Sequence, residues 1–256
     1  MHVDDLVIEQ HGKVLTVTLN APPVNALTMV RYQQLTDAFE AIGKRMDVHC
    51  VVLTGAGTRA FCAGLDLNEF LAAPADKDHE RAAIVRATFK AIRLCAIPVI
   101  AAVNGPALGA GNVLAAVSDI RIASEKATFG MPEINVGRCG GAAHMGRLLS
   151  PGLLRMMYFT GEPISAWEAH RLGMVEQVVT PKRLMPAAME LAGTIAAKSP
   201  IGLRMAKEAI NKVEWMPVEE GYELEQQYSS RLLLTEDAKE ATRAAIERRA
   251  PNFKGR

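Results

Sequence analysis

Residues 98–116 read PVIAAVNGPALGAGNVLAA. An unbroken apolar run, Pro98 to Val103, gives way at Asn104-Gly105-Pro106 to small residues from which a helix can start at Gly109 and run to Ala116. A short apolar run bounded by turn residues is the pattern of a strand buried on both faces. The glycines and alanines that follow let a helix pack closely against that strand. Strand, tight turn and helix in immediate succession form the unit of a mostly parallel α/β sheet.

The alternation extends outward on both sides. Val14 to Leu19 (VLTVTL) alternates apolar and Thr side chains, as a half-buried strand does. Leu27 to Lys44 switches to helical spacing, with Leu35, Phe39 and Ile42 on one side and Asn25 expected as its cap. Val51 to Leu53 is a short strand closed by Gly55-Ala56-Gly57, and helices are expected near Asp66 to Leu71 and over Arg81 to Arg93. Asp119 to Ala123 (DIRIA) is again strand-like. After Gly140-Gly141 helical patterns take over: Pro151 to Phe159, Ala166 to Leu172, Lys182 to Ala197, Gly202 to Val213 and one long run from Val218 to Arg249. The expected organisation is an α/β core over residues 1–197 and a helical region over 198–256 that wraps the core or meets other subunits.

Composition narrows the function. The 256 residues are 49% hydrophobic and 22% charged, which excludes a disordered or collagen-like chain. A net charge of +1, from 29 basic and 28 acidic residues, argues against nucleic-acid or membrane-surface partners. Cys50, Cys62, Cys95 and Cys139 form no C-x-x-C pair and no Cys/His ligand spacing, so no metal centre is expected. The opening MHVDDLVIEQ is no secretory leader, and the apolar stretch Cys95 to Val117 is broken by Pro98, Asn104, Pro106 and Asn112. A cytoplasmic protein is expected.

Three segments carry the chemistry. In Thr58 to Leu67 (TRAFCAGLDL), the Ala63-Gly64 turn before a helix can leave the Leu65 N–H free, where a helix dipole favours negative charge. In Asn104 to Asn112 (NGPALGAGN), a second such turn frees N–H groups near Ala110; two donors converging on one point would make an oxyanion hole. In Phe129 to Ile134 (FGMPEI), Glu133 is flanked by apolar residues, the setting for a raised pKa and general acid–base work. Each segment alone is more often plain turn or surface structure. Gly55 to Ala60 (GAGTRA) also fits a dinucleotide-binding fingerprint, but Ala63-Gly64 interrupts the helix it needs, and Asp76 and Asp78 lie in a polar stretch instead of at a strand end. No G-x-S-x-G occurs, which disfavours a serine hydrolase.

Together the segments resemble the enoyl-CoA hydratase/isomerase (crotonase) superfamily. Pro23 to Leu27 (PVNAL) is similar to its P-x-N-A-L stretch, Ala60 to Leu67 to F-x-A-G-x-D, Asn104 to Gly111 to N-G-x-x-x-G-x-G and Phe129 to Glu133 to F-x-x-P-E. Gly161 to Ala166, Gly173-Met174-Val175, Ser199-Pro200 and Asn252-Phe253-Lys254 continue the pattern in order. The resemblance implies an α/β, crotonase-like spiral of ββα units with a helical C-terminal oligomerisation region that builds trimers or dimers of trimers. It implies an acyl-CoA substrate, with coenzyme A entering as part of that substrate and no separate cofactor, and an enolate-like intermediate held by the N–H groups of Leu65 and Ala110. Glu133 then corresponds to the second of two family glutamates; where the first stands, this chain has Val113. Hydration or isomerisation of an enoyl-CoA is implied, with a non-catalytic acyl-CoA binder or a decarboxylase or C–C lyase as alternatives. For the CoA moiety the resemblance points to Arg59, Ala63, Asp66 and Leu67, and to basic residues near the C-terminus, Arg248, Arg249 and Lys254. Glu69, Arg138, Cys139 and His144 lie near the signatures without an assigned place, and Phe70 and Met131 are expected to shape the acyl pocket.

Overall fold

The computed structural model describes residues 2–3 and 5–256. Strands β1 (His2–Val3), β2 (Leu6–His11) and β3 (Val14–Leu19) lead into α1 (Met29–Gly43) and β4 (Cys50–Gly55). Helices α2 (Leu67–Ala72) and α3 (Asp78–Arg93) precede β5 (Val99–Val103), β6 (Ala107–Leu108), α4 (Ala110–Val117), β7 (Ile120–Ser124) and β8 (Thr128–Gly130). Then come α5 (Ala142–Met145), α6 (Pro151–Thr160), β9 (Ile164–Ser165), α7 (Ala166–Arg171) and β10 (Gln177–Val179). The helices α8 (Leu184–Ala196), α9 (Pro200–Val213), α10 (Val218–Leu233) and α11 (Glu236–Glu247) complete the chain.

Among the described residues the main sheet runs β1-β2-β3-β4-β5-β7-β10, antiparallel across its first three strands and parallel from β3 onward. A small second sheet, β6-β8-β9, sits beside it. Strand β2 lies outside the sequence-based expectation because Glu9, Gln10 and His11 break the apolar pattern. It forms by pairing residue for residue with β3, from Leu6 opposite Leu19 to His11 opposite Val14.

The period-two alternation of the strands sends side chains into two cores. Leu15, Val17, Val51, Leu53, Val99 and Ala101 face α1, α3 and α4. Val14, Cys50, Val52, Ile100, Ala102 and Ile122 face α8, which presents Ala187, Ala188, Ala192 and Ala196. That alanine stripe lets the helix axis approach the sheet closely. Helices α9, α10 and α11 pack chiefly on one another.

Two local expectations are corrected. Asn25 does not cap α1; Thr28 does, its hydroxyl accepting from the Arg31 N–H at 3.3 Å. Asn25 is buried in a left-handed conformation (φ 55°). Its carboxamide accepts from the Ala21 N–H at 3.1 Å and donates to the carbonyls of Ala56 and Ala60 at 3.0 Å each. The run Val218 to Arg249 is two helices, because the Thr235 hydroxyl accepts from the Ala238 N–H at 3.1 Å and opens α11 as a new helix.

Candidate active site

Two backbone segments place unpaired donors side by side. The Leu27 N–H donates to the Gly64 carbonyl (2.7 Å) and the Asp66 N–H to the Leu27 carbonyl (3.0 Å). Leu65, opposite Leu27 in this parallel bridge, therefore turns its own N–H to the other side. Ala110 is the first residue of α4, so its N–H has no acceptor within the helix. No acceptor among the described residues pairs with either amide. Gly64 (φ +93°) holds the two together: a Cβ there would stand 2.8 Å from the Leu108 carbonyl oxygen and 3.5 Å from the Ala110 nitrogen.

The same turn carries the carboxylate. Gly109, at φ +55°, donates its N–H to the Gly130 carbonyl at 2.9 Å, tying the start of α4 to β8. From β8 the chain passes through Met131 into a short helical segment, Pro132–Val136, whose second residue is Glu133. A Cβ on Gly109 would stand 2.7 Å from Glu133 Oε1, so the carboxylate rests against the Gly109 α-carbon, one residue from the Ala110 amide. Its Oε2 is buried with no hydrogen-bond partner among the described residues. Burial is the leading cause that raises the Glu133 pKa above the ordinary carboxylate value.

Leu65, Ala110 and Glu133 line one cavity of about 440 Å³. A larger hollow of about 750 Å³, bounded by Thr54, Asn104 and Lys126, receives none of the three. Above the reacting groups the walls are apolar: Met29, Phe70, Ala82, Val85, Phe89 and Val113. Tyr32 also lines the cavity; burial pushes its phenol well above the usual range and keeps it protonated. The Tyr158 hydroxyl donates to the Gly140 carbonyl at 2.7 Å and fixes the turn beside Val113. His144 stands edge-on to Phe89, its pKa lowered by burial and by Arg147 and Arg93, so its imidazole is neutral at pH 7. A thioester seated here would meet two N–H donors at its carbonyl oxygen and one carboxylate beside its α-carbon, which is the apparatus for making and quenching an enolate.

The enoyl-CoA hydratase/isomerase family model matches residues 9–256, nearly the whole chain. The chain belongs to the enoyl-CoA hydratase/isomerase family. It is 36% identical over 261 residues to the short-chain-enoyl-CoA hydratase of Clostridium acetobutylicum, covering 100% of both chains. It is 33% identical to the crotonyl-CoA hydratase of Syntrophomonas wolfei, over 99% of each chain. The crystal structure of an enoyl-CoA hydratase from Bacillus anthracis superposes with a TM-score of 0.95 at 33% identity, covering 99% of this chain and 100% of that one. The crotonase fold is therefore the fold of this protein.

Within this family member the other residues singled out from sequence fall into two groups. Ala63, Leu67 and Phe70 line the cavity, as do Arg138, Cys139 and His144. Met131 is buried behind Gly141 and does not line it. Asp66 is occupied as the cap of α2, accepting from the N–H groups of Asn68 (3.0 Å) and Glu69 (2.9 Å). Glu69 does not line the cavity; it accepts from the Met29 N–H at 2.8 Å, bracing α2 against the start of α1. Arg59, Arg248 and Lys254 are exposed and outside the cavity. Arg249 is held by Glu240 and Glu247. Sequence reasoning missed Tyr32 and Arg81, which line the cavity from α1 and α3, and Tyr158, which holds the Gly140 carbonyl in its wall; their partners lie on elements distant in sequence.

Proposed function

We propose that the protein adds water across the double bond of a 2-enoyl-CoA, with Glu133 as acid and base and the Leu65 and Ala110 N–H groups holding the thioester oxygen. The observation that carries this reading is a buried, unpaired carboxylate oxygen set beside two unpaired backbone donors. Water adds to C3 while Glu133 takes its proton and passes it to C2. Charge that builds on the thioester oxygen is met by donors worth roughly 3–4 kcal/mol each. The hydratase names of the relatives above favour this direction of chemistry.

Val113 favours a second reading. It lines the cavity where the resemblance puts a first glutamate, and valine moves no proton. Migration of a double bond from the 3- to the 2-position needs one base: Glu133 removes a C2 proton and returns it to C4. Coenzyme A enters with the acyl group, and no further cofactor is part of the proposal. Ala63 and Leu67 are the cavity-lining candidates for contact with it; Arg59, Arg248, Arg249 and Lys254 reach it only from outside the cavity or from a neighbouring subunit. A trimer or dimer of trimers is proposed because Trp215, Val218, Leu233 and Leu234 stand exposed on α10 and the turns that flank it. The cytoplasm is the proposed compartment, where four free cysteines stay reduced.

The test supplies a 2-enoyl-CoA and a 3-enoyl-CoA separately and follows products by mass. A gain of one water on the 2-enoyl substrate, lost by about 10²–10⁴-fold in Glu133→Gln, supports hydration. Conversion of the 3-enoyl substrate alone, without mass change, supports isomerisation. Turnover of neither, with CoA still bound, favours the non-catalytic binder, and loss of carbon dioxide or of an acyl fragment favours the lyase alternative.

A further inference from the structure

Helix α3 turns one stripe toward the cavity: Asp78, Arg81, Ala82, Val85, Arg86 and Phe89, spaced three and four residues apart. The stripe is apolar from Ala82 to Phe89, interrupted only by Arg86 with its exposed side chain, and ends in charge at Arg81 and Asp78. Arg81 is the unusual member. Its side chain is only 13% exposed, and its nearest carboxylate, Asp78, is 4.0 Å away. The same Asp78 oxygen already accepts from Arg138 at 2.9 Å. The Arg81 Nε is buried without a partner among the described residues. The Phe70 ring, 5.3 Å from the Arg81 guanidinium and 4.3 Å from that of Arg138, covers both but accepts no hydrogen bond.

A guanidinium that is largely buried with its donors unused is costly unless something fills them. Its planar fork matches a carboxylate or phosphate with two parallel hydrogen bonds. Around this end of the cavity three cations, Arg81, Arg86 and Arg138, face the single acid Asp78. Glu133, the other acid of the lining, forms no ion pair with them among the described residues; Arg81 and Arg138 both turn to Asp78.

We propose that Arg81, backed by Arg138, binds an anionic oxygen group of the bound thioester, either a carboxylate at the far end of the acyl chain or a phosphate of coenzyme A. The inference rests on the reading that the cavity takes an acyl-CoA, and it makes Arg81 a specificity-determining residue. The graded lining, apolar and then cationic, has the order of an acyl chain that ends in an acid.

Calorimetric titration with saturated ligands tests this apart from catalysis: adipyl-CoA, hexanoyl-CoA of equal length, and free CoA. In Arg81→Met the expected result is adipyl-CoA weakened about 10- to 100-fold, with hexanoyl-CoA and CoA unchanged. Equal weakening of all three assigns the anion to a CoA phosphate. Three unchanged dissociation constants overturn the proposal. Arg81→Lys keeps the charge and loses the fork; it carries the same test at smaller amplitude if the Met variant does not fold. None of these ligands can be hydrated, so a protein that turns over no enoyl-CoA would fail the earlier reading without deciding this one.

Discussion

Glu133 is held at some cost to the fold, and the sign of that cost is testable. Burial raises its folded pKa above its unfolded value, so between those values the folded chain binds more protons and stability falls as pH rises. Glu133→Gln removes the buried charge. The variant should therefore melt higher than the parent at pH 7–8, with the difference shrinking as pH drops from the raised folded value down to the ordinary carboxylate value; a melting series in buffered steps reads it. The acid limb of kcat/KM should likewise lie above the usual carboxylate range, since a protonated Glu133 cannot take the proton the reaction releases. Asn25 shows what a single residue does across sequence distance. Its carboxamide joins the segment before α1 to the loop after β4, and Asn25→Ala strands an N–H and at least two carbonyls at a left-handed position. A loss of about 3 kcal/mol or more is expected in denaturant unfolding. At this scale Glu133 was legible from its apolar flanks. Asn25 was visible as part of a motif but misread in role, because its partners lie some thirty positions away.

Among elements, the glycine turns act as hinges of fixed angle between strand and helix. A methyl group on Gly109 meets the Glu133 carboxylate, and its backbone lies where side chains are strained. Gly109→Ala should lower kcat by about 100-fold or more, as a carboxylate moved by an ångström would, while the α/β core keeps its circular dichroism spectrum. Steady-state kinetics and a spectrum on the same sample check it. At the other end of the chain, Asp237 in the first turn of α11 collects the tail: it accepts from the Ser199 hydroxyl at 2.7 Å and from the Lys254 N–H at 2.8 Å. It is almost wholly buried, so Asp237→Ala leaves those donors unmet. The expected loss is about 2–4 kcal/mol in chemical denaturation, with the tail becoming open to proteolysis. Strands β5 and β7 and helix α4 were readable from period and punctuation, whereas the two-residue β6 was hidden in a run of small residues that reads as a turn. The break at Thr235 was not, because threonine and glutamate continue a helical pattern as readily as they end one.

Over the whole molecule, order along the chain and position in space part company. The sheet and its parallel sense follow from alternating strands and helices, and the two N–H turns converge because both are anchored beside β6. Which side chains meet them is set by α3 and by the turn after Glu133, whose sequences show only amphipathic or glycine-rich character. Of the cavity walls, Phe70 was expected and lines the space, whereas Met29, Ala82, Val85 and Phe89 carried no sign of it in their sequence. The exposed Trp215, Leu233 and Leu234 belong to this scale too. Sedimentation should give a mass of three or six times 27.7 kDa, and Leu234→Asp should shift the distribution toward the single chain.

The cysteines give the molecule an unengineered reporter. Burial pushes the Cys50 and Cys62 thiols up to about 12 and raises Cys95 as well, so none of the three offers a thiolate near neutral pH. Cys139 is exposed and stands in the wall of the acyl cavity. A maleimide dye should attach once per chain, at that wall, and its emission should change as thioester fills the space in front of it. Occupancy could then be followed in real time on the natural sequence, with ligands that never react.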